Sequence, residues 1–301
     1  MRIFKFILLW IALTVVMMVS WPLGITLGDA ITQSSPPPLV GGVDPSSVAT
    51  AFLAVCIVNS FVISLLVWKT RFRDGAVKWM SLVLYVWTVQ FLLTQMETFF
   101  FVRGVVMSSA QIFSIVIAGA VMSLATVSSG TLIVVKMDKT NPKQRFSFRV
   151  TRWNTLWLPL LALTVIVYPL IYFTFGYFVA WQSEAVRMFY THSTAFDSFF
   201  VGMVKNITDG VYLYQIFRAS IWVMVSLPLI VMLHSKTFTQ YILMGALSAV
   251  SSVLLFIPNP YMPADVAMAH FAETSSSNFL WGMAMVFFVN RAIRQGGIEG
   301  I

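Results

Sequence analysis

The stretch ILLWIALTVVMMVSWPLGITL, residues 7–27, contains no charged side chain and decides the fold class. A transmembrane helix needs about 20 apolar residues, because the hydrocarbon core of a bilayer is about 30 Å thick and a helix rises about 1.5 Å per residue. Backbone groups in that core must be hydrogen bonded within the chain, so the run is helical. Because the run is longer than the apolar part of a signal peptide, we expect a retained span rather than a signal peptide cleaved near residues 28–30.

Seven further apolar runs of comparable length follow the first one. Together the runs predict an all-α, polytopic integral membrane bundle of about eight transmembrane helices that forms a single domain, 1–301. The predicted spans after the first are residues 49–68, 79–102, 110–135, 156–180, 219–234, 241–257 and 264–289. The segment 181–217 is too polar to span but rich in aromatic rings, so we expect amphipathic helices on the outer membrane surface.

The composition excludes several classes of protein. Of the 301 residues, 58% are apolar and 10% are charged, whereas a soluble domain has about 25% charged residues. An ordinary soluble enzyme is therefore excluded, and the single cysteine, Cys56, excludes a disulfide-stapled secreted domain. The sequence has no glycine-rich phosphate loop and no zinc or iron–sulfur pattern, so we expect no cofactor and no metal, and it identifies no catalytic residue.

The distribution of positive charge predicts the orientation in the membrane. With the N-terminus in the cytoplasm, the predicted cytoplasmic segments hold 15 Lys and Arg residues and the outer segments hold four, which are Arg103, Arg187, Lys205 and Arg218. This asymmetry follows the positive-inside rule, so both termini are expected in the cytoplasm and the protein in the plasma or inner membrane. In the cytoplasmic loop 136–154, cations alternate with aromatic rings. Membrane lipids rather than nucleic acid are the expected partner of that loop.

Two carboxylates fall inside the predicted spans, Glu97 on the third helix and Glu273 on the eighth. A charged side chain near the bilayer centre costs about 2.5–3.5 kcal/mol on the insertion scale, so each of them requires a structural or functional reason. At about 100° per residue, Gln90 and Glu97 lie on one face of the third helix, together with Trp87 and Thr94.

The eighth helix carries a polar stripe within an arc of about 140° when its residues are placed at 100° intervals. The stripe comprises His270, Glu273, Thr274, Ser277, Asn278 and Trp281. Counting residues from the inner ends of both helices places Glu97, His270 and Glu273 within one or two turns of the outer boundary of the membrane. Arg103 follows the third helix just outside that boundary.

These residues predict an outward-facing polar pocket between helices three and eight, which binds or passes a small polar or amphiphilic molecule or a proton. The predicted site residues are Gln90, Glu97, Arg103, His270, Glu273 and Asn278. The two carboxylates would carry charge or a proton, and the histidine would exchange protons. The arginine would balance the carboxylates or hold an anion, and the two amides would orient the ligand.

Two alternatives remain open at the level of sequence. His270 and Glu273 stand three residues apart, so they could act as an acid–base pair in a membrane-embedded enzyme that attacks lipid or peptide at the outer leaflet. The polar groups could instead only join helix three to helix eight in an assembly subunit that has no small-molecule site. The sequence makes no prediction of oligomeric state.

Overall fold

The computed structural model describes residues 2–35, 44–101, 107–137, 144–233, 238–259, 261–295 and 298–300. Within them the chain forms ten helices, and the fold is all-α, as predicted. The helices are α1 (Arg2–Thr32), α2 (Pro45–Lys69), α3 (Ala76–Phe100), α4 (Ser109–Met137), α5 (Thr155–Gln182), α6 (Glu184–Thr191), α7 (Phe199–Thr208), α8 (Val211–Met232), α9 (Phe238–Phe256) and α10 (Ala264–Arg294).

Seven of the helices in the described residues are long and apolar enough to cross a membrane: α1 to α5, α8 and α9. The chain is therefore an integral membrane protein. The eighth predicted span is also helical, since α10 extends over 31 residues. Its polar stripe makes it less apolar than the other seven, so the count of eight spans and the location of the termini stay predictions.

Helix α8 begins at Val211, eight residues before the predicted start of the sixth span. Arg218 therefore lies within a helix that is long and apolar enough to span a membrane and is 4% exposed, so its prediction as a loop residue was wrong, while its place toward the outer side stays a prediction. The predicted boundary failed because Gln215 and Arg218 lower the local hydropathy, although both side chains are buried. The segment between α5 and α8 is shorter than predicted and holds the two short helices α6 and α7.

Two very short pairs of strands accompany the helices. Strand β1 (Arg73–Asp74) pairs in parallel with β2 (Gln144–Arg145), and β3 (Phe148–Val150) pairs with β4 (Ile298–Gly300). Asp44 caps the first turn of α2, where its carboxylate accepts hydrogen bonds from the backbone N–H groups of Ser46 and Ser47 and from the Ser46 hydroxyl. The hydroxyl of Ser46, followed by the backbone bonds, holds the pKa of Asp44 below its ordinary value.

By its contacts the chain divides into two compact units, the first built from α1 to α4 and the second from α5 to α10. The predicted single domain stays a prediction. In the first unit, α1 packs closely on α4 because Gly24 and Gly28 face Ala118 and Ser114. A Cβ atom added to Gly28 would lie 2.5 Å from the carbonyl oxygen of Ser114. Such rows of small residues let membrane helices approach one another.

In the second unit, glycines serve the same purpose between α9 and α10. A Cβ atom on Gly282 would lie 2.3 Å from the carbonyl oxygen of Met244, and one on Gly245 would lie 2.9 Å from the ring of Phe279. This contact fixes α10 against α9 near Phe279 and Gly282. It also fixes which face of α10 points into the second unit, and the polar stripe lies on that face, since Glu273 and Trp281 are both buried.

Candidate functional site

The predicted site residues belong to both compact units. Gln90 and Glu97 are in the first unit, whereas His270, Glu273 and Asn278 are in the second. Arg103 lies outside the described residues. The shared pocket of helices three and eight therefore stays a prediction.

In the first unit, α3 contains a π-turn at Thr88–Leu92. A π-turn adds about one residue to the helical turn, so residues on either side of it no longer follow a single spacing of about 100°. The continuous face expected for Trp87, Gln90 and Glu97 is interrupted for this reason. Trp87 donates its indole N–H to the carbonyl of Val116 on α4 at 3.0 Å, while Gln90 is buried and Glu97 is half-buried.

In the second unit, the predicted stripe of α10 points into the protein. Glu273, Ser277, Asn278 and Trp281 are all buried, whereas Leu280 on the other side of the helix is exposed. The periodicity of the sequence thus predicted the correct face of this helix. Burying the polar groups of this face costs free energy unless each of them finds a hydrogen-bond partner.

His270 and Glu273 lie together near the beginning of α10. The Nδ1 atom of His270 is 3.7 Å from Oε2 of Glu273, which is beyond hydrogen-bond distance, and the hydroxyl of Thr274 donates to the same oxygen at 3.0 Å. Tyr190 of α6 packs edge-on against the imidazole ring, with 5.6 Å between the ring centroids. The Nε2 atom of His270 is buried and makes no hydrogen bond to the described residues.

A second polar face, which the sequence analysis missed, lies on α8. Gln215, Arg218, Trp222 and Ser226 follow one another at steps of three, four and four residues, so they share one side of the helix, and all four are buried. The opposite side is apolar and exposed, as Leu213 shows. Extending the helical periodicity of the sixth apolar run toward the N-terminus is the signal that would have found this face.

A break in α5 positions the tyrosine that contacts this face. Residues Leu163–Val167 form a π-turn, and Pro169 follows it. Since proline has no N–H, the carbonyl of Val165 lacks its usual helical donor. The hydroxyl of Tyr212 on α8 donates to that carbonyl at 2.7 Å. The break is thereby stabilised, and the next helical segment begins at Tyr168.

Tyr168 and Arg218 meet in the interior of the second unit. A guanidinium N–H of Arg218 donates to the hydroxyl oxygen of Tyr168 at 2.6 Å. The ring of Tyr168 lies 4.7 Å from that of Trp281 and 6.1 Å from that of Trp222, and the guanidinium carbon lies 5.7 Å from the Trp222 ring. We call these four residues the Arg218 cluster. They join α5, α8 and α10 at the middle of the second unit.

Several polar atoms on and next to the Arg218 cluster have no hydrogen-bond partner among the described residues. They are Nε2 and Oε1 of Gln215, Nε1 of Trp222, Oγ of Ser226 and Nε1 of Trp281. Gln215 and Ser226 are each one turn of α8 away from a member of the cluster. An unsatisfied buried polar group costs about 1–3 kcal/mol, so a region with several of them favours the entry of water or a polar ligand.

The electrostatic character of this region comes from Arg218. It lies seven residues from the beginning of α8, or about 10 Å along the helix axis. Ionisable side chains at such a depth are rare in membrane helices and commonly mark a path or binding site for a substrate or ion. Among the described residues, no group of three His, Cys, Asp or Glu side chains could hold a metal ion.

Comparison of the chain with protein-family models, with curated proteins and with solved structures found no match.

Proposed function

We propose that the protein binds a small polar molecule inside the second unit, between the buried polar faces of α8 and α10, and that it acts as a carrier or binding protein of the plasma or inner membrane. The observation that carries the proposal is the unsatisfied, buried side-chain amide of Gln215. This side chain is completely buried, yet neither of its amide atoms has a hydrogen-bond partner among the described residues. A ligand that both donates and accepts hydrogen bonds would satisfy it.

The chemistry of the surrounding groups indicates the class of ligand. The unpartnered atoms are neutral donors and acceptors: an amide, a hydroxyl and the indole N–H groups of Trp222 and Trp281. These groups suit hydroxyl, amide or carbonyl functions of a small molecule. The aromatic rings of the Arg218 cluster supply flat apolar walls, as in most small-molecule sites. The positive charge of Arg218 favours the electron-rich end of such a ligand.

The pair of His270 and Glu273 lies on the same helix face, two to three turns from Trp281 and nearer to the predicted outer end. In this proposal the pair stands at the entrance, where it attracts a cationic group or exchanges a proton, and Asn278 orients the ligand between the pair and the cluster. The contribution predicted for Gln90, Glu97 and Arg103 is not needed for binding in the second unit. It stays a separate prediction.

Cysteine labelling tests whether this region is open to water. Ser226 and Ser248 are equally buried, on α8 and α9 respectively, and the native Cys56 is also buried. In the membrane-embedded protein, Ser226→Cys should react with a small sulfonated methanethiosulfonate reagent, whereas Ser248→Cys and the wild type should not. If Ser226→Cys reacts no faster than Ser248→Cys, the region is closed and the proposal is wrong.

A ligand screen then tests binding directly. Because a ligand of the folded state stabilises it by mass action, polyols, amides and amino acids at millimolar concentration are tested for a rise in the thermal midpoint of the purified protein. The rise caused by a true ligand should disappear in Gln215→Leu and persist in Gln240→Leu, a buried glutamine whose amide is hydrogen bonded within the protein. A rise of equal size in both variants would place the ligand elsewhere.

A further inference from the structure

A cavity of about 290 Å³ lies between α9 and α10, at the opposite end of α10 from His270. Its lining residues are Tyr241, Phe287, Asn290, Arg291 and Arg294, all in the second unit. The predicted orientation places it at the cytoplasmic side of the membrane. This inner cavity is distinct from the Arg218 cluster, so the inference drawn from it does not depend on the proposed function.

The inner cavity is rich in positive charge, and its described lining includes no acidic side chain that could neutralise it. Arg291 and Arg294 are three residues apart on the last turns of α10, so their guanidinium groups lie on neighbouring positions of the helix surface. Both are exposed, and neither has an ion pair or a side-chain hydrogen bond with the described part of the chain. The five lining residues include no Asp or Glu.

One side of the cavity is polar and hydrogen bonded within the second unit. Asn290 is 4% exposed and donates to Oε1 of Gln240 at 3.0 Å, while Nε2 of Gln240 donates to the carbonyl of Ile230 at 2.9 Å. This chain of hydrogen bonds fixes α8, α9 and α10 around the cavity. The hydroxyl of Tyr241 makes no hydrogen bond to a described residue, so it is available as a donor to a molecule in the cavity that Arg291 and Arg294 also line.

We propose that the inner cavity binds a phosphate group through Arg291, Arg294 and the hydroxyl of Tyr241, and that this phosphate belongs to the headgroup of an anionic phospholipid. Guanidinium groups bind phosphate oxygens with paired, charge-assisted hydrogen bonds. Phe287 identifies the lipid as the source, because it lies one turn closer to the membrane interior than Arg291 and is 52% exposed. An acyl chain or glycerol backbone can contact that ring while the phosphate lies among the cations. Basic pockets between transmembrane helices at the cytoplasmic side bind lipid headgroups in this way.

Native mass spectrometry of the full chain in a nonionic detergent tests the proposal, with phosphatidylglycerol and phosphatidylcholine as the added lipids. The wild type should bind phosphatidylglycerol more tightly than phosphatidylcholine. Removing both cations in the double variant R291Q/R294Q should weaken phosphatidylglycerol binding roughly 30-fold. The matched control is R149Q/R152Q, which removes two exposed arginines from the predicted cytoplasmic loop and should change that binding less than roughly 3-fold.

The smaller variant Tyr241→Phe removes one hydroxyl, so it leaves the fold intact even where a double variant does not purify. It should weaken phosphatidylglycerol binding roughly 5-fold. Equal losses in R291Q/R294Q and R149Q/R152Q, or unchanged binding in Tyr241→Phe, would overturn the proposal. Inorganic phosphate is added as a competitor at millimolar concentration. If it displaces the lipid completely and stabilises the lipid-free protein with the same dependence on the variants, then the site binds free phosphate and its assignment to phospholipid is wrong.

Discussion

Replacing Gln215 with leucine should increase the stability of the protein, although the residue is completely buried. Both amide atoms of Gln215 are without a hydrogen-bond partner among the described residues, and the side chain is 0% exposed. Each unsatisfied buried group costs about 1–3 kcal/mol, and leucine has a similar volume without polar atoms. Allowing for water that reaches the amide, we expect Gln215→Leu to raise the free energy of unfolding by about 1–3 kcal/mol.

Gln240 provides the matched control, since it is 2% exposed and has its amide hydrogen bonded at both ends. It donates to the carbonyl of Ile230 at 2.9 Å and accepts from Asn290 at 3.0 Å. Gln240→Leu removes both hydrogen bonds from the Ile230 carbonyl and the Asn290 amide and puts an apolar side chain beside them, so it should lower the free energy of unfolding by about 2–4 kcal/mol. The two substitutions are chemically identical. The difference between their changes in the free energy of unfolding therefore reports whether the amide is hydrogen bonded within the protein.

The assay is reversible unfolding of both variants in mixed detergent micelles, with the helical content of the wild type as the reference signal. Opposite signs of the two changes would support the assignment of Gln215 to an unfilled polar site. If Gln215→Leu lowers the free energy of unfolding as much as Gln240→Leu does, the assignment is refuted, because the Gln215 amide would then stabilise the folded protein.

Two further predictions concern packing and capping. Gly282→Ala places a methyl group 2.3 Å from the carbonyl oxygen of Met244, so α9 and α10 must separate, and the thermal unfolding free energy should fall by about 1–3 kcal/mol. Gly176→Ala meets no atom within 4 Å and should be neutral or gain up to about 1 kcal/mol in the same measurement. The pKa of Asp44 is lowered in the folded protein. The charged cap therefore stabilises α2 fully at pH values above the ordinary pKa of 3.8, and this stabilisation is lost as the pH falls through the lower pKa of the folded state. Amide exchange of Ser46, corrected for intrinsic rates, should accelerate below pH 3.8 in the wild type and lose this pH dependence in Asp44→Asn.

Most of the fold could be predicted from hydropathy and charge, because long apolar runs in a membrane protein have few alternatives to a helix. Every predicted span overlaps a helix within the described residues. The predicted start was wrong for α8, which begins at Val211. It was missed because Gln215 and Arg218 resemble loop residues as long as their burial is unknown. Hydropathy measures composition and cannot distinguish a polar residue in a loop from one that faces the interior of a bundle.

The candidate site could be predicted only in part. The polar stripe with His270 and Glu273 was found from its periodicity, since α10 is an uninterrupted helix. On α3, the π-turn at Thr88–Leu92 changes the spacing, and no composition rule indicates where such a turn occurs. The contact between Tyr168 and Arg218 depends on the break beside Pro169, and it required the three-dimensional arrangement of the second unit.

An experimental density map that resolves side chains and water at the Arg218 cluster would show whether Gln215 belongs to a ligand site. We predict density for a small molecule or for ordered water within hydrogen-bond distance of both amide atoms of Gln215. A map in which the Gln215 amide is hydrogen bonded only to protein groups, with no further density around the cluster, would contradict the account.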